Sequence, residues 1–360
     1  MRAATMIMTP QASDTVRPAA EQRGGRLVEI DALRGVAALA VVLFHYTTRF
    51  SDLYGAGPQA SVSFPDGHYG VNLFFVISGF VIFMTLDKTS RAMDFVVSRF
   101  SRLFPAYWVA IALTFLLTHL LGLPGKMVGP GEALGNLIMI HSLFGIPHVD
   151  GVYWTLEVEL LFYVGMLCLY CLRRLHQIHH WLLGLLALRL LDSLLEWKFG
   201  FGIPWTIQRL TILKYLPWFA LGICIYLATS RHDTTSWRAP ALTAGCAILT
   251  LALGNSLFHA ALAIILASMV LLAATGRLAV LRYRPFVWLG TISYPLYLLH
   301  ENIGWSIQLR LQALGLPIDA TVLVALTISL TLATTLAQQV EQPAMRWIRA
   351  RYRERRAAAR

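Results

Sequence analysis

Two ionisable side chains, Arg34 and His45, interrupt an apolar stretch near the start of the chain. The stretch from Ile30 to Phe50 reads IDALRGVAALAVVLFHYTTRF and predicts a helix with Asp31 as its N-cap. At about 100° and 1.5 Å per residue, the two side chains share nearly one face and stand roughly 16 Å apart. Such groups on a membrane helix face a polar interior. The alternative is a snorkelling arginine and a histidine satisfied in the core.

Two carboxylates stand in a later apolar segment that reads YWTLEVELLFY. Glu157 lies one turn from Trp154 and Glu159 one turn from Tyr163, so the two carboxylates point in different directions. An unpaired carboxylate at the edge of the hydrocarbon is costly. We therefore expect at least one of them to face a cavity.

Polar side chains also mark three other apolar segments. The segment FVWLGTISYPLYLLHENIGW carries a stripe at helical spacing, formed by Ser293, Tyr297, His300 and Glu301. Pro295 frees a backbone carbonyl there, which is typical of helices that line a cavity. Ser78 accompanies Gly79, for which small-residue packing is the simplest interpretation. Glu341 precedes Pro343, where a helix end cap is the simplest interpretation.

The elements that must position these side chains are membrane helices. Hydrophobic residues make up 57% of the 360-residue chain, charged residues make up 14%, and the mean hydropathy is +0.60. This composition predicts an all-α, polytopic integral membrane protein without a large soluble domain. Residues 132–145 are too short for a clean crossing, and we expect them to be re-entrant or interfacial. About ten spans are then predicted, at 33–50, 70–86, 103–121, 153–171, 181–195, 211–228, 239–254, 257–275, 286–305 and 320–341.

The distribution of charge predicts the orientation of these spans. If residues 132–145 do not cross, every basic loop falls on one side, which the positive-inside rule makes the cytoplasm, together with both termini. The net charge of +11 then orients the chain and does not indicate nucleic-acid binding. We predict a flexible cytoplasmic tail at 1–29, a membrane domain at 30–345 and a basic cytoplasmic tail at 346–360. We interpret the four cysteines as small apolar side chains that pack within the helices, and we expect no disulfide framework and no metal site.

Six motifs, taken in order, resemble those of the acyltransferase-3 family, membrane enzymes that O-acylate sugars, surface polysaccharides and some lipids or antibiotics. They are ALRGVAALAVVLFH, GVNLFFVISGF, RFSRLFPAYW, WTLEVELLFY, LGTISYPLYLLH and VEQPA. The resemblance covers nearly the whole chain after the N-terminal tail, and the family is described as having ten membrane helices. The chain looks like the bare transferase, without the soluble C-terminal domain of larger members. Thr155 stands where the family often has Ser.

The resemblance implies an O-acyltransferase of the plasma (inner) membrane. It would transfer an acyl group, expected to be acetyl, from acyl-CoA (acetyl-CoA) to a hydroxyl of a sugar or polysaccharide. Acyl-CoA would be a co-substrate, and the resemblance implies no permanently bound cofactor, no metal and no nucleic-acid partner. It leaves open which acyl group moves, which hydroxyl accepts it, and whether transfer is direct or passes through an acylated residue.

Roles for the polar residues follow from the same resemblance. A neutral imidazole near a hydroxyl can act as general base, and we expect this role for His45, with Arg34 as the second catalytic residue. Arg34 would hold a phosphate or the pantetheine arm, or would pair with Glu341 or Asp31. Planar guanidinium groups bind phosphates bidentately. We therefore expect CoA phosphates at Arg99 and Arg102. The remaining candidates would line the acceptor side, orient the base or support the site, and they are Glu159, Tyr297, His300, Ser78 and Glu341.

A second class of function is a secondary transporter that uses intramembrane Arg, His and Glu as a proton relay. Transporter folds usually show repeated halves with paired broken helices. The sequence has one Pro-interrupted span with a dense polar stripe and no counterpart in its other half. A third class, a structural or sensory membrane protein, leaves the buried charges unexplained. A requirement for CoA would distinguish the enzyme from both.

Overall fold

The structure is a computed structural model that describes residues 27–55, 60–230 and 237–359. Every regular element within these ranges is a helix, as the composition predicts. The longer helices, numbered in chain order, are α1 (Val28–Phe44), α2 (Gly70–Asp87), α3 (Ala92–Leu121), α4 (Tyr153–Cys171), α5 (Ile178–Phe199), α6 (Leu216–Thr229), α7 (Arg238–Gly254), α8 (Leu257–Ala274), α9 (Arg284–Leu299), α10 (Glu301–Ala313), α11 (Ile318–Leu336) and α12 (Gln342–Ala358).

Each predicted span overlaps helical structure in the described ranges, and the first residues of the span predicted at 211–228 form turns before the helix begins at Leu216. Six helical segments there are long and apolar enough to cross a membrane, at Pro65–Asp87, Ala92–Leu121, Tyr153–Cys171, Leu175–Phe199, Leu257–Ala274 and Ile318–Ala358. Leu216–Thr229 and Arg238–Gly254 are shorter apolar helices. The chain is therefore a multi-pass membrane protein by this criterion, whereas ten crossings and the side of the termini stay predictions.

The first helix begins earlier than its predicted N-cap. Leu27 precedes the helix, and Asp31 lies in its first turn, so the prediction that Asp31 caps the helix is wrong. Of the predicted tail at 1–29, residues 1–26 lie outside the described residues. The predicted basic tail at 346–360 is largely helical, since it falls within α12, with residue 360 outside the description.

The segment predicted not to cross consists of short helical turns, at Pro130–Gly135, Asn136–Ile138 and His141–Phe144. The buried side chain of Asn136 holds it together, because its amide donates to the carbonyls of Glu132 at 2.8 Å and Pro147 at 2.9 Å. The backbone N–H of Val149 donates to the Asn136 side-chain oxygen at 3.0 Å. No turn in this segment approaches the roughly twenty residues that a helical crossing needs.

Glycines allow two pairs of helices to approach closely. Gly35 of α1 faces Gly290 of α9, and a Cβ on either one would overlap the backbone of the other helix. Gly79 of α2 and Gly222 of α6 meet in the same way, against backbone atoms of Phe219 and Val76. Small residues at such crossings let membrane helices pack closely. The small-residue packing predicted at Gly79 is confirmed.

Three irregular turns interrupt the helices, and each carries a candidate site residue. A π-helical turn follows α1 at His45–Arg49, and a second follows α11 at Ala337–Glu341. The α9–α10 helix is broken at His300, shortly after Pro295. Because Pro295 has no N–H, carbonyls of this segment need other partners. At the break itself, the carbonyl of His300 accepts from the hydroxyl of Tyr46 at 2.8 Å and from the backbone N–H of Gly304 at 2.9 Å.

Candidate active site

Two neighbouring cavities lie among α1, α2, α4 and α9 and share Val71, Phe75 and Tyr297 in their linings. The arginine cavity, of about 70 Å³, has polar lining from Arg34, Arg99, Arg102, Thr155, Glu159, Tyr163, Ser293, Tyr294 and Tyr297. The histidine cavity, of about 350 Å³, has polar and aromatic lining from His45, His68, Asn72, Trp154, Tyr215, Tyr297 and Glu301. The structure thus places Arg34 and His45 in adjacent cavities, with Tyr297 between them.

His45 is the first residue of the π-helical turn that ends α1. Its Nδ1 lies 2.9 Å from the carbonyl oxygen of Val41 and 3.1 Å from Nε2 of His300. Its Nε2 lies 3.6 Å from a carboxylate oxygen of Glu301. The imidazole is therefore held through one nitrogen, while the other faces the cavity and a carboxylate. Irregular π turns often occur at functional sites, and this one ends α1 at the candidate base.

The hydrogen-bond partners assign the tautomer of His45. The carbonyl of Tyr297 lies 2.9 Å from Nδ1 of His300 and accepts only from an N–H, so the Nε2 of a neutral His300 is an acceptor. The carbonyl of Val41 likewise accepts only from an N–H, so His45 carries its proton on Nδ1. Nε2 of His300 accepts from the same N–H. A neutral His45 therefore keeps its lone pair on Nε2, where a general base needs it.

Glu301 is a site residue for which the sequence predicts no individual role. The helical stripe included it, but its contact with His45 depends on the π turn and on the helix break at His300. The residue is 5% exposed, and its carboxyl group lies against Gly151, where a Cβ would overlap it. A carboxylate at this position stabilises the imidazolium that forms when His45 accepts a proton.

Asp150 lies in the loop beneath Glu301 and is fully buried. Its carboxyl group accepts from the backbone N–H of Asn302 at 3.1 Å and of Val152 at 3.3 Å. Burial raises the pKa of this carboxyl from 3.8 to about 7, because a charge there has lost its solvent. Asp150 thereby ties the loop to the start of α10, which carries Glu301.

Buried side chains hold the backbone on both sides of the histidine pair. The indole N–H of Trp305 donates to the carbonyl of His45 at 2.9 Å, and Trp305 is 1% exposed. Tyr46, adjacent to His45, holds the carbonyl of His300. The hydroxyl of Tyr297 lies 2.8 Å from the hydroxyl of Thr155. His300 and Tyr297, both predicted site residues, therefore lie beside His45 and between the cavities respectively.

Three guanidinium groups line the arginine cavity, from Arg34, Arg99 and Arg102. Arg102 forms an ion pair with the fully buried Glu341. Glu341, one of the two acidic partners considered for Arg34, is therefore bound by Arg102, and the end-cap interpretation of Glu341 is wrong. Arg99 makes only long contacts, 3.4 Å to Thr85 and 3.5 Å to Ser98, and its Nε has no partner among the described residues.

The two carboxylates of α4 take separate surroundings, as their spacing predicts. Glu159 lines the arginine cavity and accepts hydrogen bonds from Ser78 at 2.7 Å and from the hydroxyl of Tyr163. Glu157 is 1% exposed and forms an ion pair with Arg209 at 2.6 Å, with Ser142 completing the contact. The expectation that one carboxylate faces a cavity is confirmed for Glu159. Arg209 had no sequence signal, because its partner is distant in the chain.

The described residues contain no group of three His, Cys, Asp or Glu side chains placed to hold a metal ion. The polar groups of the two cavities are instead an imidazole with a free nitrogen, a neighbouring carboxylate and three guanidinium groups. Such a set can remove a proton from a hydroxyl and hold a phosphate.

Comparison with known proteins gives one family and several related proteins. The family model described as "Acyltransferase domain" matches residues 27–337. Exopolysaccharide production protein ExoZ of Rhizobium meliloti (strain 1021) is 26% identical over 330 residues, which cover 83% of this chain and 96% of ExoZ. Acyltransferase MdmB of Streptomyces mycarofaciens is 24% identical over 367 residues, covering 89% of this chain and 92% of MdmB.

A third relative is longer than this chain. The putative peptidoglycan O-acetyltransferase YrhL of Bacillus subtilis (strain 168) is 24% identical over 373 residues, which cover 87% of this chain and 54% of YrhL. No solved structure matches the chain. Because the family and these relatives indicate acyl transfer or exopolysaccharide production, the transporter alternative is not favoured.

Proposed function

Because the chain belongs to the acyltransferase-3 family of membrane O-acyltransferases, we propose that it transfers an acyl group, in the first place acetyl, from acyl-CoA to a hydroxyl of a sugar or polysaccharide. The observation that carries this proposal is the free Nε2 of His45, which faces a cavity and lies 3.6 Å from Glu301. The relatives support a glycan acceptor, since two of them are named for exopolysaccharide production and peptidoglycan O-acetylation.

The proposed reaction uses the two cavities for the two substrates. The acceptor hydroxyl lies in the histidine cavity, where Nε2 of His45 removes its proton as the oxygen attacks the thioester carbonyl. The C–S bond then breaks, the acyl group stays on the acceptor oxygen, and the imidazolium returns its proton to the leaving CoA sulfur. Glu301 stabilises the imidazolium while it exists.

The arginine cavity is the proposed entrance for acyl-CoA. Arg34, Arg99 and Arg102 place positive charge where phosphates or the pantetheine arm would pass, and Arg99 has unused donor capacity there. Tyr297 and the shared wall at Val71 and Phe75 lie between this cavity and His45. The acyl group would reach the base past this wall.

The test supplies radiolabelled acetyl-CoA to membranes that contain the protein, together with a cell-envelope glycan extract. We expect label in the glycan fraction, and its loss in membranes with a matched amount of His45→Ala. Acetyl phosphate in place of acetyl-CoA tests the donor. Absence of CoA-dependent label in the glycan fraction would contradict the proposal.

A further inference from the structure

A third cavity, the tryptophan cavity, has a volume of about 400 Å³ and adjoins the histidine cavity. Its aromatic and polar lining includes His148, Trp154, Trp205, Arg209, Lys214 and Tyr215. Trp154 and Tyr215 line the histidine cavity as well, so the two cavities share a wall. Its size and its mixture of aromatic and a few polar groups are typical of small-ligand sites.

Three aromatic rings of this cavity lie against one another or against a cation. The rings of Trp154 and Tyr215 have centroids 5.3 Å apart and are tilted by 36°. Trp205 is 60% exposed, yet the guanidinium of Arg209 lies 4.8 Å from its ring centroid. Arg209 is itself held by its ion pair with the buried Glu157. A flat and exposed aromatic surface suits the C–H face of a sugar ring, which is apolar.

The rim of the cavity supplies hydrogen-bond donors for hydroxyl groups. Lys214 is exposed. His148 is partly buried, and its Nδ1 lies 2.7 Å from Nε2 of His141. Anchoring at a membrane interface explains an exposed tryptophan without any partner. It does not explain why a buried ion pair holds the cation beside Trp205, or why the cavity opens next to the proposed acceptor site.

We propose that the tryptophan cavity binds a sugar unit next to the one that is acylated, so that the acceptor is a sugar chain and not a single sugar. This inference rests on the proposed function, because it extends the acceptor from the histidine cavity. Stacking on Trp205 and contacts at Lys214 then select a segment of the chain. The sugar unit bound in the tryptophan cavity therefore determines which adjacent unit of the chain enters the histidine cavity.

The test measures binding and transfer with the full chain in lipid nanodiscs. The probes are fluorescently labelled fragments of the source cell's envelope glycans, separated into single sugars and chains of several units. We expect chains to bind more tightly than single sugars. Because the stacking contact is lost, Trp205→Ala should weaken chain binding about two- to tenfold. Single-sugar binding and the KM for acetyl-CoA should not change.

Two further variants separate recognition from anchoring. Trp205→Phe keeps a flat ring and should restore chain affinity, and Trp237→Ala removes a tryptophan that is 72% exposed and lines none of the three cavities. Equal affinity for chains and single sugars, or unchanged chain affinity in Trp205→Ala, would leave Trp205 as an interfacial anchor only. Absence of transfer by the wild-type protein would overturn the proposed function, whereas normal transfer with unchanged chain affinity would overturn this inference alone.

Discussion

At the scale of single residues, the two nitrogens of His45 have different surroundings. Nδ1 is bound between the Val41 carbonyl and His300, and Nε2 faces the histidine cavity and Glu301. Because the imidazole is oriented through one nitrogen, its other nitrogen stays positioned for the substrate and the side chain does not have to change rotamer. The roles of His45, His300 and Glu301 in the proposed reaction therefore differ, and substitutions should separate them.

The first prediction compares these three residues. His45→Ala should lower acyl transfer by about 10²-fold or more, since general-base catalysis is typically worth 10² to 10⁴. His300→Ala should be milder, because Val41 still orients His45. Glu301→Gln keeps the shape but removes the charge that stabilises the imidazolium, and it should reduce the turnover number more than it raises the acceptor KM. Initial rates at matched protein levels measure each effect.

Near-normal transfer by a well-expressed His45→Ala variant would exclude His45 as the base. His119→Ala serves as the control, because His119 lies on α3 and lines neither proposed substrate cavity.

The second prediction concerns Arg99 and Arg102. Replacing both by Lys keeps the charge, and with it the orientation of α3, but removes the planar fork that binds two phosphate oxygens. A charge-assisted hydrogen bond is worth about 1.5–3 kcal/mol, of which Lys recovers a part, so the KM for acyl-CoA should rise several-fold. The acceptor KM should change little.

Arg351→Lys is the matched control, since Arg351 is exposed on α12. Unchanged acyl-CoA kinetics in a correctly inserted double variant would show that these two arginines do not bind CoA. The CoA site would then be sought among Arg34, Arg277, Arg282 and Arg284.

At the scale of elements, the loop before α4 supports the site from beneath. Asn136 fixes its short turns, Asp150 ties it to α10, and Ser142 meets the Glu157–Arg209 pair. His141 is buried within this loop, and its Nε2 lies 2.7 Å from Nδ1 of His148. Burial lowers the pKa of His141 from 6.5 to about 4, and the neighbouring His148 and Arg209 add to the effect.

The third prediction follows from this lowered pKa. Below pH 6.5 the unfolded loop binds a proton that the folded loop binds only near pH 4, so the loop loses stability as the pH falls through this range. Hydrogen exchange of residues 130–152 should therefore accelerate from pH 6.5 to 5, by at most about tenfold per pH unit after correction for intrinsic exchange.

The comparison variant is His141→Gln, which cannot titrate and keeps a donor toward His148. Its exchange should depend less on pH than that of the wild-type protein. Asp150 has a raised pKa and acts in the opposite direction, with stability gained as the pH falls below about 7, but it is present in both proteins. Equal pH dependence in the two proteins would show that His141 does not control the loop.

At the scale of the whole molecule, three adjoining cavities run from the arginine cavity through the histidine cavity to the tryptophan cavity. Tyr297 lines the first two, and Trp154 and Tyr215 line the last two. In the proposed orientation, acyl-CoA enters from the cytoplasm and the glycan approaches from the opposite side. This arrangement requires that the basic loops lie on the cytoplasmic side.

The fourth prediction tests that orientation. The described structure has four free cysteines, at 168, 171, 224 and 246, which are replaced first. Single reporter cysteines at Ser90, Gln177 and Ala279 should then be shielded from impermeant thiol reagents in intact cells, whereas one at Gly125 should be labelled. Labelling at Gln177 would mean that residues 132–145 cross the membrane, and the ten-span arrangement would have to be revised.

The sequence by itself determined the helical class, the approximate position of each helix and most of the polar residues that line the cavities. Apolar stretches of membrane length can satisfy their backbone only as helices, and few polar side chains are tolerated inside them. Arg34, His45, Glu159 and Tyr297 are therefore recognisable without coordinates. The motifs that indicate the family are local in the same sense, because each lies within one helix or at its end.

Only the tertiary structure decided which of these residues meet. The distance from His45 to Glu301, the pairing of Glu341 with Arg102 and the wall formed by Trp154 and Tyr215 all join parts of the chain that are distant in sequence. The first two contacts depend on two π turns and one broken helix, which rotate side chains away from the positions that a regular helix predicts. Helical periodicity assumes a constant rotation per residue, so it cannot locate contacts that exist because that rotation changes.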